Sequence, residues 1–178
     1  SYGLCNLDLP EPELRQRLQQ TIADFDLELL AHQPLHALSL GQKRRVALAG
    51  VMALQPELLL LDEPTSYLDR QQTASLFQEL DRIQAAGTTI VMATHDLDLA
   101  YAWADWAVIL AAGRVVAADR ITAIFEDRSL LAQVKLDLPV LLDLWFALPA
   151  AWRDHHLPPR SIEELKLFLA NRFGDPPT

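Results

Sequence analysis

The sequence contains one cysteine, Cys5, and only six glycines among its 178 residues. A single cysteine excludes an internal disulfide and is typical of a protein from a reducing compartment. Stability must therefore come from a packed interior, and 51% hydrophobic residues are enough to build one. The length suits one domain, with room for a small second lobe.

Positive charge is scarce as well. Lysine and arginine number 15 against 24 aspartates and glutamates, which gives a net charge of −9 and a pI of about 4.9. Because binding to a nucleic-acid backbone needs clustered positive charge, this balance predicts no nucleic-acid partner.

Long apolar runs are also missing. No stretch reaches the roughly 18 uninterrupted apolar residues that a membrane-spanning helix needs. The richest region, residues 138–152, is interrupted by Asp143 and two prolines. We therefore predict a soluble chain that reaches a membrane only through partner proteins.

A short apolar run that ends in two acids is the most informative stretch. Four leucines at 58–61 predict a strand buried on both faces, and Asp62 and Glu63 follow where it leaves the core. In open α/β sheets, ligands bind beyond the carboxyl ends of the strands. One acid there can hold Mg²⁺ through water while the next orients a water molecule for attack. Taken alone, such a pair is more often a helix N-cap or a solvated turn.

Helix-start signals surround this strand. Ser39 with Gln42 predicts a capping box for a helix that runs to about Leu54, and Asp69 with Gln72 predicts another for a helix over residues 70–86. Earlier in the chain, apolar spacing predicts a helix after Pro10 and a second, short one over residues 24–31.

The second half changes character along its length. Residues 88–93 predict the next parallel strand, and residues 106–117 predict a hairpin that turns at Ala112 and Gly113. Beyond Asp119 only helices are predicted, the last of them launched by a third capping box at Ser161. The fold class is therefore α/β, with a core over residues 1–118 and a helical C-terminal extension over residues 119–178.

Four motifs occur in an order that resembles one family. Leu38-Ser39-Leu40-Gly41-Gln42 precedes Asp62 by 23 residues, Ser66-Tyr67-Leu68-Asp69 follows the acids, and His95 lies 33 residues after Asp62. This order resembles the ATP-hydrolysing subunits of ABC transporters, most closely over residues 39–113. The resemblance implies a P-loop NTPase-like ABC ATPase domain with ATP and Mg²⁺ as its cofactors.

The resemblance also implies a role for each motif. Ser39, Gly41 and Gln42 look like the signature that meets the γ-phosphate of ATP bound mainly by the opposite subunit. Leu40 stands where the family usually has glycine. Asp62 would hold Mg²⁺ through water and Glu63 would polarise the attacking water. His95 would contact the γ-phosphate, and Asp69 would cross the dimer interface.

The helix that follows the signature resembles one type of subunit within this family. Its Lys-Arg-Arg-Val-Ala at 43–47, followed by Ala-Gly at 49–50, looks like the energy-coupling-factor type, especially its cobalt and nickel members. The segments 2–10 and 136–139 are similar to that branch as well. As on most helices, this charge run is also predicted to form the solvated face of the helix.

That branch implies a peripheral subunit on the cytoplasmic face of the cell membrane. Its partners would be a second ABC ATPase subunit, identical or different, and integral membrane transport subunits. A vitamin importer or another ABC ATPase is the alternative in the same class. A catalytically silent partner that donates its signature in trans is the second alternative, and a soluble α/β domain with coincidental motifs is the third.

One family motif is missing from the chain. No Gly-x-x-x-x-Gly-Lys segment occurs, and none of the six glycines precedes a lysine. This loop cradles the phosphates, and its lysine neutralises them. We therefore expect an N-terminally truncated domain, in which a complete family member carries about 80–100 further residues ahead of Ser1. The chain alone is expected to hydrolyse little or no ATP.

Overall fold

A computed structural model of the chain describes residues 3–6 and 8–173. Tyr2 and Leu7, which belong to the opening resemblance, lie outside the described residues. The chain forms two compact units, residues 1–93 and 94–178. The boundary between the two units therefore lies before the boundary at residue 118 that the sequence predicts. The hairpin belongs to the second unit because it packs against the helix that follows it.

The first unit combines three helices with two strands. Short 3-10 turns lie at Leu4–Asn6 and Leu35–Ala37. The helices are α1 (Glu11–Asp24), α2 (Leu40–Met52) and α3 (Arg70–Ala85), and the strands are β1 (Leu58–Asp62) and β2 (Thr89–Ala93).

The predicted helix over residues 24–31 is wrong. Helix α1 ends at Asp24, and the chain turns where Asp26 adopts a φ of 50°. The amide of Leu27 then donates to the carbonyl of Ile22 at 2.9 Å, a bond that closes the end of a helix instead of extending it. The apolar residues of this stretch still serve the core, since Phe25 and Leu27 are both buried.

Strands β1 and β2 pair in parallel, from Leu58 opposite Thr89 to Asp62 opposite Ala93. Only one face of this small sheet is covered within the first unit. Leu59 is 3% exposed, whereas Leu58 and Leu60 are 51% and 68% exposed. The prediction of a strand buried on both faces is therefore wrong for the described residues, because successive side chains of a strand point to opposite faces.

The second unit begins with α4 (Leu97–Trp103) and a hairpin of β3 (Trp106–Ala111) and β4 (Arg114–Arg120). The hairpin turns as predicted, with positive φ at Ala112 and Gly113. Five helices follow: α5 (Ile121–Glu126), α6 (Arg128–Val134), α7 (Val140–Ala147), α8 (Ala150–Arg153) and α9 (Ile162–Phe173). Their core contains Tyr101, Ile121, Phe125, Leu131 and Leu142.

Over the described part of the chain, no helix combines the length and the apolar character required to cross a membrane.

Candidate functional site

The acidic pair lies at the carboxyl end of the parallel sheet. Asp62 is the last residue of β1 and is exposed. The amide of Glu63 donates a 2.9 Å hydrogen bond to the carbonyl of Ala93, so the two strands stay paired to their last residues. Glu63 is half-buried, with its Oε2 shielded from solvent, and its φ of 45° turns the chain sharply away from β1. One carboxylate therefore faces solvent while its neighbour is partly withdrawn.

Helix α2 begins with the predicted capping box. The amide of Gln42 donates to Ser39 Oγ at 3.3 Å, and the amide of Ser39 donates to Gln42 Oε1 at 2.8 Å. A Cβ atom added to Gly41 would lie 3.7 Å from Nε2 of Gln72, an ordinary contact. Space alone therefore does not demand glycine at position 41, but the first turns of α2 and α3 are neighbours.

Asp69 performs the equivalent task for α3. Its Oδ1 accepts a 2.8 Å bond from the amide of Gln72, and its own amide donates to Gln72 Oε1 at 3.4 Å. Tyr67, two residues earlier, is 90% exposed and has a φ of 66°. The aspartate that the resemblance assigns to a dimer interface is thus also a helix cap, at an exposed position.

The contacts of Arg44 with the turn after β1 were not predicted from the sequence. The prediction that the charged run of α2 is only its solvated face is wrong for it. Its Nη1 donates to the carbonyl of Pro64 and its Nη2 to that of Ser66, both in the turn after β1. Helical spacing carried a signal, since Arg44 lies one turn before the buried Leu48 and so shares its inward side.

His95 belongs to the second unit and is exposed. It follows the end of β2 by two residues, in a tight bend where the amide of Asp96 donates to Thr94 Oγ1 at 3.1 Å. Asp96 then caps α4 by accepting a 3.0 Å bond from the amide of Leu99. The first unit therefore contains six of the predicted site residues, and the seventh opens the second unit.

The side chains of this region fit Mg²⁺ bound together with ATP. Among the described residues, no group of three or more His, Cys, Asp or Glu side chains is placed to hold a metal ion. Mg²⁺ bound together with a nucleotide keeps several waters and needs only one or two carboxylates. An exposed Asp62 beside Glu63 fits that requirement, and the first turn of α2 fits a phosphate.

A large cavity of the first unit lies elsewhere. It encloses about 1400 Å³ between α1 and the C-terminal ends of α2 and α3, and its lining contains none of the predicted site residues. Glu57 and Thr88, which precede the two strands, line it. Because β1 is five residues long, this end of the sheet is roughly 15 Å from Asp62.

Comparison with known proteins shows similarity to one family. The sequence model of the family described as ABC transporter matches residues 5–66. An ABC transporter ATP-binding protein of Thermosynechococcus vestitus is 57% identical over 173 residues, which is 97% of this chain and 61% of that protein. The cobalt import ATP-binding protein CbiO of Rhodobacter capsulatus is 46% identical, over 81% of this chain and 51% of its own length.

Other relatives agree on the type and the fold. The energy-coupling factor transporter ATP-binding protein EcfA of Carboxydothermus hydrogenoformans is 41% identical, over 82% of this chain and 53% of that protein. The solved structure of cbiO1 from Clostridium perfringens, part of the ABC transporter complex cbiONQ, is 35% identical with a TM-score of 0.63. It aligns over 82% of this chain and 58% of that one.

The chain spans about half to three fifths of the length of these relatives. Their shared names, the aligned fold and the matched segment nevertheless agree across most of its residues. Over most of its residues, the chain is similar in sequence and in fold to ABC transporter ATP-binding proteins.

Proposed function

We propose that this chain forms part of the ATP-hydrolysing subunit of an energy-coupling-factor ABC importer. The most direct support is that β1 and β2 stay paired to their carboxyl ends, where the exposed Asp62 lies. The amide of the next residue, Glu63, donates to the carbonyl of Ala93. Bound ATP and Mg²⁺ would supply the phosphoanhydride bond and the charge that activates it.

Three residues of the chain are proposed to act on the same nucleotide, each with a different role. Asp62 would hold Mg²⁺ through water, and the half-buried carboxylate of Glu63 would accept a proton from the attacking water. His95 contacts the γ-phosphate as a hydrogen-bond donor. These three residues serve a nucleotide whose phosphate-binding loop this chain does not contain.

The trans elements serve a second subunit. Ser39 and Gly41 present the first turn of α2 to the γ-phosphate bound by the partner, where free amides and the helix dipole favour negative charge. Asp69 reaches the same interface. We therefore propose a pair of ATPase subunits, identical or different, docked on integral membrane subunits at the cytoplasmic face of the membrane.

The transported substrate is proposed to be Co²⁺ or Ni²⁺. This is supported by the name of the Rhodobacter relative, a cobalt import protein at 46% identity. Uptake of radioactive cobalt, nickel and B vitamins by cells that carry the complete system separates the metals from a vitamin substrate. Vitamin uptake in place of metal uptake would overturn the metal assignment and leave the ATPase assignment standing.

The test of the ATPase assignment is ATP turnover by the chain alone and after mixing with a complete energy-coupling-factor ATPase. We expect negligible turnover alone and stimulation on mixing, because the chain offers α2 in trans but no phosphate loop. Glu57→Gln is the matched control for Glu63→Gln, since Glu57 is exposed at the opposite end of β1. Turnover by the chain alone that only Glu63→Gln abolishes would contradict the proposed dependence on a partner loop.

A further inference from the structure

Arg44 connects the signature helix to the turn that follows the acidic pair. Its guanidinium is half-buried and donates from two different nitrogens to the carbonyls of Pro64 and Ser66. A guanidinium presents its donors in a rigid planar fork. Two carbonyls of one turn are therefore fixed relative to α2 by a single side chain.

The turn to which Arg44 donates, residues 64–69, contains and adjoins residues in unfavourable backbone conformations. Glu63, just before the turn, and Tyr67, within it, have φ values of 45° and 66°, in the left-handed region that side-chain-bearing residues seldom adopt. Two backbone bonds within the turn support it: Ser66 to Glu63 at 3.1 Å and Leu68 to Thr65 at 3.0 Å. Such backbone persists only where surrounding contacts fix it, and Arg44 supplies two of them.

The two elements that Arg44 joins both carry proposed trans contacts. Ser39 lies five residues before it on α2, and the turn ends at Asp69, which caps α3. A Cβ atom added to Gly41 would lie 3.7 Å from Gln72 Nε2, so the first turns of α2 and α3 are neighbours. A shift of the turn relative to α2 would therefore separate Ser39 from Asp69.

We propose that Arg44 is a positioning residue for ATP hydrolysis: it holds the 64–69 turn against the signature helix so that Ser39 and Asp69 meet the partner's nucleotide together. This rests on the proposed function. In this role Arg44 acts through the backbone of the turn, by way of the carbonyls of Pro64 and Ser66. A residue that served stability alone would leave the rate of the assembled pair unchanged.

The first test is amide hydrogen exchange in the whole chain, for the wild type, Arg44→Gln, Arg44→Lys and Lys43→Gln. Lys43→Gln is the matched control because it removes one positive charge from the neighbouring, exposed position of α2. In Arg44→Gln we expect the amides of Ser66 and Leu68 to exchange at least about tenfold faster, while the central amides of α2 and α3 are unchanged. Arg44→Lys should not restore protection, since one ammonium group cannot reproduce the fork. Unchanged exchange at both amides would overturn the proposal.

The second test is stimulation of a complete energy-coupling-factor ATPase by increasing amounts of each variant. Arg44→Gln should lower the maximal stimulated rate at least about tenfold and leave the half-maximal concentration of the chain within about threefold. Lys43→Gln should change neither value. Faster exchange with an unchanged maximal rate would overturn the positioning role and leave Arg44 as a structural contact only.

The two tests separate this inference from the function on which it rests. If wild-type chain gives no stimulation, the proposed trans function fails and the catalytic part of the inference fails with it, while exchange still decides whether Arg44 holds the turn. Circular dichroism would reveal whether Arg44→Gln unfolds the chain. In that case both measurements, amide exchange and stimulation, are made on Arg44→Lys, which keeps the positive charge.

Discussion

Ser39 and Gln42 satisfy each other at the start of α2, because the amide of each donates to the side chain of the other, at 2.8 and 3.3 Å. The same hydroxyl is the proposed γ-phosphate contact. A cap and a phosphate ligand use the same end of a helix, so removing the hydroxyl would confound the two roles. Replacing it with a charge separates them.

Ser39→Asp should keep the helix and lose the trans function. Aspartate caps helices about as well as serine, so we expect the free energy of unfolding to change by less than about 0.5 kcal/mol. A carboxylate facing the partner's γ-phosphate should lower the stimulated ATP turnover at least about tenfold. Chemical denaturation and the mixing assay measure the two effects.

The control for this change is Ser161→Asp. Ser161 Oγ accepts a 3.1 Å bond from the amide of Glu164, so its hydroxyl caps α9 as the hydroxyl of Ser39 caps α2. It should leave stimulation at the wild-type level. Equal loss in both variants, or none in Ser39→Asp, would contradict the phosphate contact.

Tyr101→Phe should stabilise the second unit. Tyr101 is 1% exposed, packs edge-on against Phe125 at a centroid distance of 5.8 Å, and its buried hydroxyl has no hydrogen-bond partner among the described residues. Removing an unsatisfied hydroxyl while keeping the ring should raise the free energy of unfolding at pH 7 by about 1 kcal/mol. Urea denaturation measures it.

The same hydroxyl makes a prediction about pH. Burial raises the pKa of Tyr101 from 10.0 to about 12, with the nearby positive charge of Arg160 acting in the opposite direction. The folded state therefore holds this proton between pH 10 and about 12 while the unfolded state releases it, so stability falls as pH rises through that window. Tyr101→Phe should lose less stability there than the wild type. Tyr67→Phe, on a ring that is 90% exposed, should show the wild-type loss.

The sequence predicted those parts of the fold that depend on neighbours in the chain. The side-chain caps at Ser39, Asp69 and Ser161 are all present, because a capping oxygen and the amide that donates to it are three residues apart. The box predicted at Ser161 is only half correct, since the Glu164 carboxylate accepts from the amide of Arg160 instead. The hairpin turn at Ala112 and Gly113 is equally local. Strand β2 was also predicted, from β-branched residues between two turn signals.

The errors concern contacts between distant parts of the chain. Residues 24–31 have an apolar pattern that suits a helix, yet Phe25 and Leu27 lie in a series of turns that buries their side chains. Arg44 bonds to carbonyls 20 and 22 residues away, which no pattern within α2 specifies. The exposure of Leu60 depends on which elements cover the sheet, and the sequence of β1 does not contain that information.

Lys135→Gly should stabilise the chain. Lys135 is exposed and ends α6 with a φ of 56°, and the amide of the next residue, Leu136, donates to the Leu131 carbonyl at 3.0 Å. Glycine adopts this conformation without steric cost, so the free energy of unfolding should rise by about 0.5–1 kcal/mol after the greater freedom of the unfolded chain is subtracted. Lys135→Ala keeps the steric conflict and should show no gain. A gain in the alanine variant equal to that of glycine would show that loss of charge, and not backbone conformation, is responsible.

Arg160→Lys should destabilise the second unit although it preserves the charge. Arg160 donates from Nε to the Tyr101 carbonyl at 3.1 Å and from Nη2 to the Ala104 carbonyl at 2.6 Å, which closes the end of α4. Lysine cannot reach both acceptors, so we expect a loss of about 1.5–3 kcal/mol in the free energy of unfolding. Its 3.7 Å approach to Asp105 is a separate contact to a carboxylate that is 72% exposed. Because an exposed ion pair contributes little, Asp105→Asn should cost less than about 0.5 kcal/mol. Urea denaturation of both variants compares them directly, and similar losses would mean that the ion pair, and not the pair of carbonyl bonds, holds Arg160 to α4.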